Sequence, residues 1–272
     1  MRSPDSSRLV PVLLYHHVVA GRPDEPWAIG SHELRRQLQM LAATGAATFT
    51  ASDYANRCRS ATLPETPLAM VTFDDAHAGV VDLALPILQE LGLRATFFVT
   101  TGFLGKPDNI SASALRGLAG TDLEIGSHSI GHPQLDVISE HNAWIEIARS
   151  RAILEDLIGS AVTSFSYPHG YHGPVARRLV ERAGYETAHA VKNSFSYVGD
   201  DLLAVARLTV LADTPTAVVG EWINRCGAPI ARRSEAARTR LWRRYRRTRM
   251  RLGHRTGQPA VASTEAADDA DG

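Results

Sequence analysis

The sequence predicts an α/β fold, a distorted (β/α) barrel with about seven strands. Three observations point to it. Between residues 9 and 225, short apolar runs alternate with amphipathic stretches. The runs are rich in β-branched and aromatic residues, whereas the stretches between them repeat their apolar residues at helical spacing. Strands linked by helices run parallel, and a closed or partly closed barrel accounts for so many units better than an open sheet.

The first strand is expected at 10–15, Val-Pro-Val-Leu-Leu-Tyr. Ser31 then caps a helix reaching Gly45, with Leu34, Leu38 and Leu41 on one face. A strand at 68–73 leads into a helix over 77–91 that carries Val81, Leu85 and Leu88 and stops at Gly92. Strands follow at 94–100 and 123–127, then a long helix over 139–158. A strand at 163–167, a helix at 174–183, strands at 185–191 and 205–211, and a helix over 216–225 complete the domain.

The chain has 272 residues, 44% hydrophobic and 21% charged, which suits a globular protein with one sizeable core. Lysine and arginine total 29, as do aspartate and glutamate, so the net charge is zero but unevenly spread. From 231 to 255 arginine dominates, notably Arg243-Arg244-Tyr245-Arg246-Arg247, with Glu235 as the acid. We therefore divide the chain into a barrel domain at 9–225, an arginine-rich C-terminal helix at 226–256 and a polar, acidic tail at 257–272, expected to be disordered. The basic helix is expected either to lie solvated against the barrel or to rest on an anionic membrane. Nucleic acid is disfavoured, because no binding motif accompanies the charge. Cys58 and Cys226 form no CxxC motif and are read as small buried apolar residues. No apolar run reaches the roughly 20 residues of a membrane helix. The first 15 residues lack a signal peptide's h-region and cleavage site, so the expected location is cytoplasmic, with peripheral contact at the inner membrane face.

Three polar segments stand at the ends of expected strands, where a parallel barrel gathers its functional residues. Thr72-Phe73-Asp74-Asp75 sets two carboxylates side by side, and the plainer alternative is that Asp75 caps the next helix. His128-Ser129-Ile130-Gly131-His132 spaces two imidazoles four apart, able to chelate one ion from a turn. One aspartate and two histidines supply three ligands and leave a position open for water, as in a catalytic zinc site. Phe165-Ser166-Tyr167-Pro168-His169-Gly170 reads as a fixed turn that allows close backbone approach, or else as a simple connection. His169 and His172 are weaker ligand candidates.

Taken in order, these motifs resemble the polysaccharide deacetylase family (NodB-like domain, carbohydrate esterase family 4). Leu83-Ala84-Leu85-Pro86-Ile87-Leu88, Ala95-Thr96-Phe97-Phe98-Val99 and Ile125-Gly126-Ser127-His128 share the resemblance. Leu13-Leu14-Tyr15-His16 is similar to the N-terminal strand of one branch of it. The resemblance covers about residues 10–212 and leaves out the arginine stretch. It implies a hydrolase that removes N-acetyl groups from an N-acetylated sugar: an oligo- or polysaccharide, a lipid-linked glycan or a glycosylated metabolite. It also implies a divalent ion, zinc before cobalt, on Asp75, His128 and His132, with Asp74 as general base. The backbone N–H of His169 would polarise the acetyl carbonyl, and Tyr167 and Pro168 would line the substrate. His16 would act as general acid, replacing a late histidine that 208–213 does not contain.

The chain departs from that family at several places. Ser166 stands where an arginine usually orients the base, Ala76 replaces a glycine, and an aspartate–tryptophan motif is not evident. Arg207 is the candidate to replace the arginine. Trp27, Tyr171 and Trp144 are candidates for the aromatic platform of a sugar cleft. The rival readings are a hydrolase of a cyclic ureide or imide, and a non-catalytic relative that kept the fold.

Overall fold

The computed structural model describes residues 8–118, 121–231 and 241–249. The chain divides into two units after Arg233. The first opens with β1 (Leu9–Val10) and β2 (Val12–Tyr15), followed by an excursion of two short parallel strands, β3 (His17–Val19) and β4 (Ala28–Gly30). Then come α1 (Ser31–Ala43), β5 (Ala47–Thr48), α2 (Ala51–Ser60) and β6 (Leu68–Phe73). A π-helical turn at Val80–Ala84 runs into α3 (Leu85–Glu90), followed by β7 (Ala95–Val99), α4 (Ala112–Arg116), β8 (Leu123–Ser127) and α5 (Glu140–Ile158). The remainder is β9 (Ser164–Ser166), α6 (Pro174–Arg182), β10 (Thr187–His189), β11 (Ser196–Tyr197), β12 (Leu208–Thr209) and α7 (Thr216–Ile223).

Strands β12, β2, β6, β7, β8, β9 and β10 lie side by side in that order and all run parallel. The sheet curls until β10 meets the segment leading into β12. There the Val205 N–H donates to the Ala188 carbonyl (3.0 Å) and the Ala190 N–H to the Val205 carbonyl (2.8 Å). This ring of seven strands is the expected barrel.

Side-chain alternation divides the core in two. Leu13, Tyr15, Val71, Phe73, Phe97 and Val99 pack in the cluster that includes Leu34, Leu38, Leu88, Ile147 and Leu179 of the helices. Val10, Val12, Leu68, Met70, Phe98 and Val205 form a separate cluster with Ala51 and Tyr54 of α2. Helix α2 thereby packs against the inward-facing set near the start of the strands. Phe98 fills the interior because β8 offers a glycine there: a Cβ on Gly126 would lie 2.5 Å from the Phe98 ring. Above Phe98 the interior turns polar, with Thr72, Ser166, His189 and Arg207 all buried.

Several expectations change. Gly30, not Ser31, is the N-cap of α1, and Ser31 is its first residue. The helix expected at 77–91 begins only at Val80, with a π turn. Pro86 has no N–H to donate one turn back, and the Leu85 N–H reaches five residues back to the Val80 carbonyl. Helix α2 and the β3–β4 excursion were not expected. Residues 226–231 remain with the barrel, since Phe195 and Ile230 bridge and Ala231 N–H donates to the Phe195 carbonyl. Both cysteines are free; Cys58 is half-buried but Cys226 is exposed, contrary to the reading of both as buried. In the second unit, 241–249 is helical, with Trp242 and Tyr245 stacked at 5.3 Å. The acidic tail at 257–272 lies outside the described residues. No helix among those described is long and apolar enough to cross a membrane.

His189 has a consequence for stability. Its ring is fully buried against Phe98 with neither nitrogen hydrogen-bonded. Burial, aided by Arg207 and opposed by Asp74, pushes its pKa down to about 3 from 6.5. Below pH 6.5 the unfolded chain takes up a proton that the folded barrel refuses, so stability falls as pH drops through that window. In urea unfolding of the metal-free protein, His189→Leu should lose about 3 kcal/mol less than wild type between pH 6.5 and 4. An unchanged slope would place the acid sensitivity elsewhere.

Candidate active site

The functional side chains lie just beyond the carboxyl ends of the strands: His16 after β2, Asp74 and Asp75 after β6, His128 after β8, and the Tyr167 turn after β9. Asp75 adopts φ 74°, a left-handed conformation that a non-glycine residue rarely takes. Its carboxylate accordingly points into the mouth and does not cap the next helix, whose N-cap is Gly79. Ser129, His132 and His169 share the left-handed conformation, with φ of 66°, 59° and 57°. Backbone strain is concentrated here because the turns must aim polar side chains inward.

Asp75, His128 and His132 offer ligand atoms that all lie within 4.8 Å of one another. Asp75 Oδ1 is 3.8 Å from His128 Nε2 and 3.7 Å from His132 Nε2. Atoms each about 2.1 Å from one tetrahedral ion are about 3.4 Å apart, so the triad fits a metal with little movement. His128 Nδ1 donates to the Ser166 carbonyl (2.8 Å), which leaves the Nε2 lone pair facing the site. Burial pushes the His128 pKa down to about 4, so the ring is neutral, the form that binds metal. Helix α5 braces the turn between the histidines. Glu146 accepts the Ile130 and Gly131 N–H groups on one carboxylate oxygen, at 2.9 and 2.8 Å.

Asp74 stands beside the triad, its Oδ2 3.5 Å from His128 Nε2. Arg207, wholly inaccessible to solvent, clamps it with Nη1 on Oδ1 and Nη2 on Oδ2, both at 2.7 Å. Ser166 Oγ donates to the same Oδ2 (3.0 Å) and accepts from Arg207 Nη2 (2.7 Å). Arg207 therefore stands where the Ser166 position lacks an arginine, reaching in from the far side of the ring. Burial alone would favour the neutral acid, but Arg207 and then His128 outweigh it and hold the Asp74 carboxyl well below the usual range.

His16 packs its ring against Trp27 at 4.9 Å, and its Nδ1 is buried without a hydrogen bond. Burial lowers its pKa, opposed by the nearby Asp75 and Asp74. His17 went unnoticed in the sequence, yet its Nε2 lies 3.7 Å from Asp75 Oδ2 while its Nδ1 contacts Glu25. Asp75 lifts the His17 pKa to about 8, with burial opposing and Glu25 adding to the rise. The adjacent pair His16-His17 was a signal, since the chain must kink for both to face one site. Glu146 gave none.

The third motif needs correction. Tyr167 is buried in the core with its hydroxyl donating to the Leu203 carbonyl (3.1 Å), and Pro168 is also buried. Just past the end of β9, the Tyr167 ring packs in the cluster shared with the helices. His169 is at the turn, its ring 4.5 Å from that of His132. His172 stacks on Tyr167, away from the triad's set of ligand atoms.

Residues 63–188 match the sequence profile of the polysaccharide deacetylase family. Over that stretch the chain matches the polysaccharide deacetylase domain. The Bacillus subtilis protein YxkH, whose name places it in the same family, is 22% identical over 214 residues, 79% of this chain and 76% of its own. Among solved structures, the Streptococcus pyogenes deacetylase PplD superposes with a TM-score of 0.71 at 20% identity, covering 77% of this chain and 95% of PplD. IcaB from Ammonifex degensii gives 0.68 at 23%, covering 79% and 97%. These likenesses extend the deacetylase fold over the barrel, beyond the stretch that matches the profile. Arg207 and His16 both lie outside that stretch.

Two outcomes check this geometry. Glu146→Ala should leave the barrel folded but weaken zinc binding about 10- to 100-fold in chelator competition, by releasing the histidine turn. Asp74→Asn and Arg207→Met should each lower stability by about 3 kcal/mol, each stranding a buried charge. The double variant should cost well under their sum; additive losses would mean that the pair is not coupled.

Proposed function

We propose that this polysaccharide deacetylase-family chain is a metal-dependent hydrolase removing the acetyl group from an N-acetylated sugar. The observation that carries the reading is the juxtaposition of a three-ligand triad with a separate carboxylate, Asp74, held ionised by Arg207. Asp75, His128 and His132 would hold a divalent ion, zinc or cobalt. Such an ion supplies Lewis-acid polarisation of the acetyl carbonyl and acidifies water.

The chain's own residues do the rest. Asp74 is in its basic form at any working pH, and its orientation is set by the guanidinium fork and Ser166. It takes the proton of the attacking water. Water adds to the carbonyl carbon, the C–N bond breaks, and acetate and the free amine leave. His16, as imidazolium, donates the proton that the departing amine requires. Asp75 and Asp74 favour that cation, offsetting part of the burial cost. The His169 N–H would donate to the carbonyl oxygen as it gains charge.

The substrate fitting this reading is an oligosaccharide, a lipid-linked glycan or a glycosylated metabolite. The arginine-rich stretch at 231–255 would then serve as a contact for anionic lipid.

The test is acetate release from N-acetylglucosamine oligomers by protein stripped of metal and reloaded with zinc or cobalt. Release should follow metal. Asp74→Asn and His16→Ala should each bind metal as wild type does and lose at least about 100-fold in kcat. Substantial turnover by Asp74→Asn would remove it as the base, and unchanged turnover by His16→Ala would remove the acid.

A further inference from the structure

The excursion between β2 and α1 forms one wall of the mouth and carries His16, His17, Glu25 and Trp27 within a short stretch. Trp27 immediately precedes β4, and its carbonyl accepts the His17 N–H (3.2 Å), which ties it to the strand that begins just after the candidate acid His16. The Pro26 carbonyl accepts from Ala212 N–H (2.8 Å), just past β12. At the base of the excursion the backbone closes tightly, since a Cβ on Gly30 would lie 2.8 Å from the Gly21 carbonyl oxygen. Trp27 is thus held by backbone contacts on both sides.

Its ring has no structural explanation of comparable strength. The indole is 42% exposed and touches His16 edge-on, at an interplanar angle of 61°. The barrel unit leaves one other large apolar side chain exposed among the described residues, Ile153 on α5. The other aromatic candidates are accounted for. Trp144 packs against the core with the Arg182 guanidinium 4.6 Å over its ring, and Tyr171 is partly covered in the turn after β9. Trp27 combines exposure, anchoring and contact with a residue of the site.

We propose that the Trp27 indole is the platform on which the substrate's sugar ring stacks, setting a hexopyranose beside His16. This rests on the deacetylase reading and deepens it by assigning the sugar contact. One face of a pyranose presents several C–H bonds, which carry partial positive charge and suit the negative face of an aromatic ring. A ring stacked there brings its equatorial acetamide within the reach of the same wall. His16 is then on the side of the amide nitrogen, and the triad is on the side of the carbonyl. A small acyclic amide would draw little from such a platform.

The experiment uses the metal-loaded full chain. Trp27→Ala should raise KM for N-acetylglucosamine oligomers about tenfold while kcat stays within about threefold. Trp27→Phe should recover most of the affinity, because a phenyl ring still offers a face. Titrating N-acetylglucosamine tetramer should change the tryptophan fluorescence of wild type but not of Trp27→Phe. An unchanged KM in Trp27→Ala, or a fluorescence change that persists in Trp27→Phe, overturns the platform. So does a fall in kcat at constant KM, which would make Trp27 a prop for His16. If wild type releases no acetate from these sugars, the deacetylase reading fails. The platform falls with it only if the sugar also leaves Trp27 fluorescence unaltered.

Discussion

The buried pair of Arg207 and Asp74 is the constraint around which the rest of the barrel is organised. A guanidinium has five N–H donors, and each finds an acceptor here: the Ala190 carbonyl, Thr72, Ser166 and both oxygens of Asp74. Those acceptors belong to β6, β9 and the end of β10, whereas Arg207 itself leads into β12. The ion pair therefore joins the two margins of the curled sheet to its middle. Removing two charges from water is expensive, and only full hydrogen bonding makes such a pair tolerable. Once formed, it leaves Asp74 ionised and immobile beside the candidate metal triad. One interaction thus both closes the barrel and fixes the charge and orientation of the proposed base.

Above that pair, the site relies on turns under local strain. Four non-glycine residues with positive φ, at Asp75, Ser129, His132 and His169, cluster at one end of the barrel. Each would relax if its turn were free to move, so each needs a restraint. Glu146 holds the turn of the histidines by two backbone N–H groups, and the Thr100 N–H holds the Asp75 carbonyl at 3.0 Å. The interior changes from hydrocarbon near α2 to hydrogen-bonded polar groups near the mouth. Gly126 matters to that gradient because it admits Phe98, on which His189 and Arg207 both rest.

Much of the fold was legible because its signals are local. Strand β6 was placed residue for residue, and the long helix α5 nearly so, since apolar alternation and a serine cap mark them directly. Helix α2 was not, because Ala-Ser-Asp-Tyr-Ala-Asn-Arg-Cys-Arg-Ser has almost no apolar stripe. It buries Ala51 and Tyr54 among inward-facing residues that periodicity along α2 cannot reveal. Sequence places Tyr167 and Pro168 in the motif but says nothing about their burial, which only the fold shows.

The candidate triad and Asp74 were legible in the sequence alone, as residues in two short motifs at strand ends. Within a motif, a few bonds of covalent chain fix the spacing, and the parallel fold brings strand ends to one face. The sequence offered Arg207 and Trp27 only as candidates; tertiary structure decided that Arg207 clamps Asp74 and that Trp27 lies exposed beside His16, and it alone showed the brace of Glu146 on the histidine turn. Arg207 and Asp74 are 133 residues apart, and nothing in their local sequence encodes that meeting. It arises from the curl of the sheet, which sets β12 beside β2 and within reach of β6.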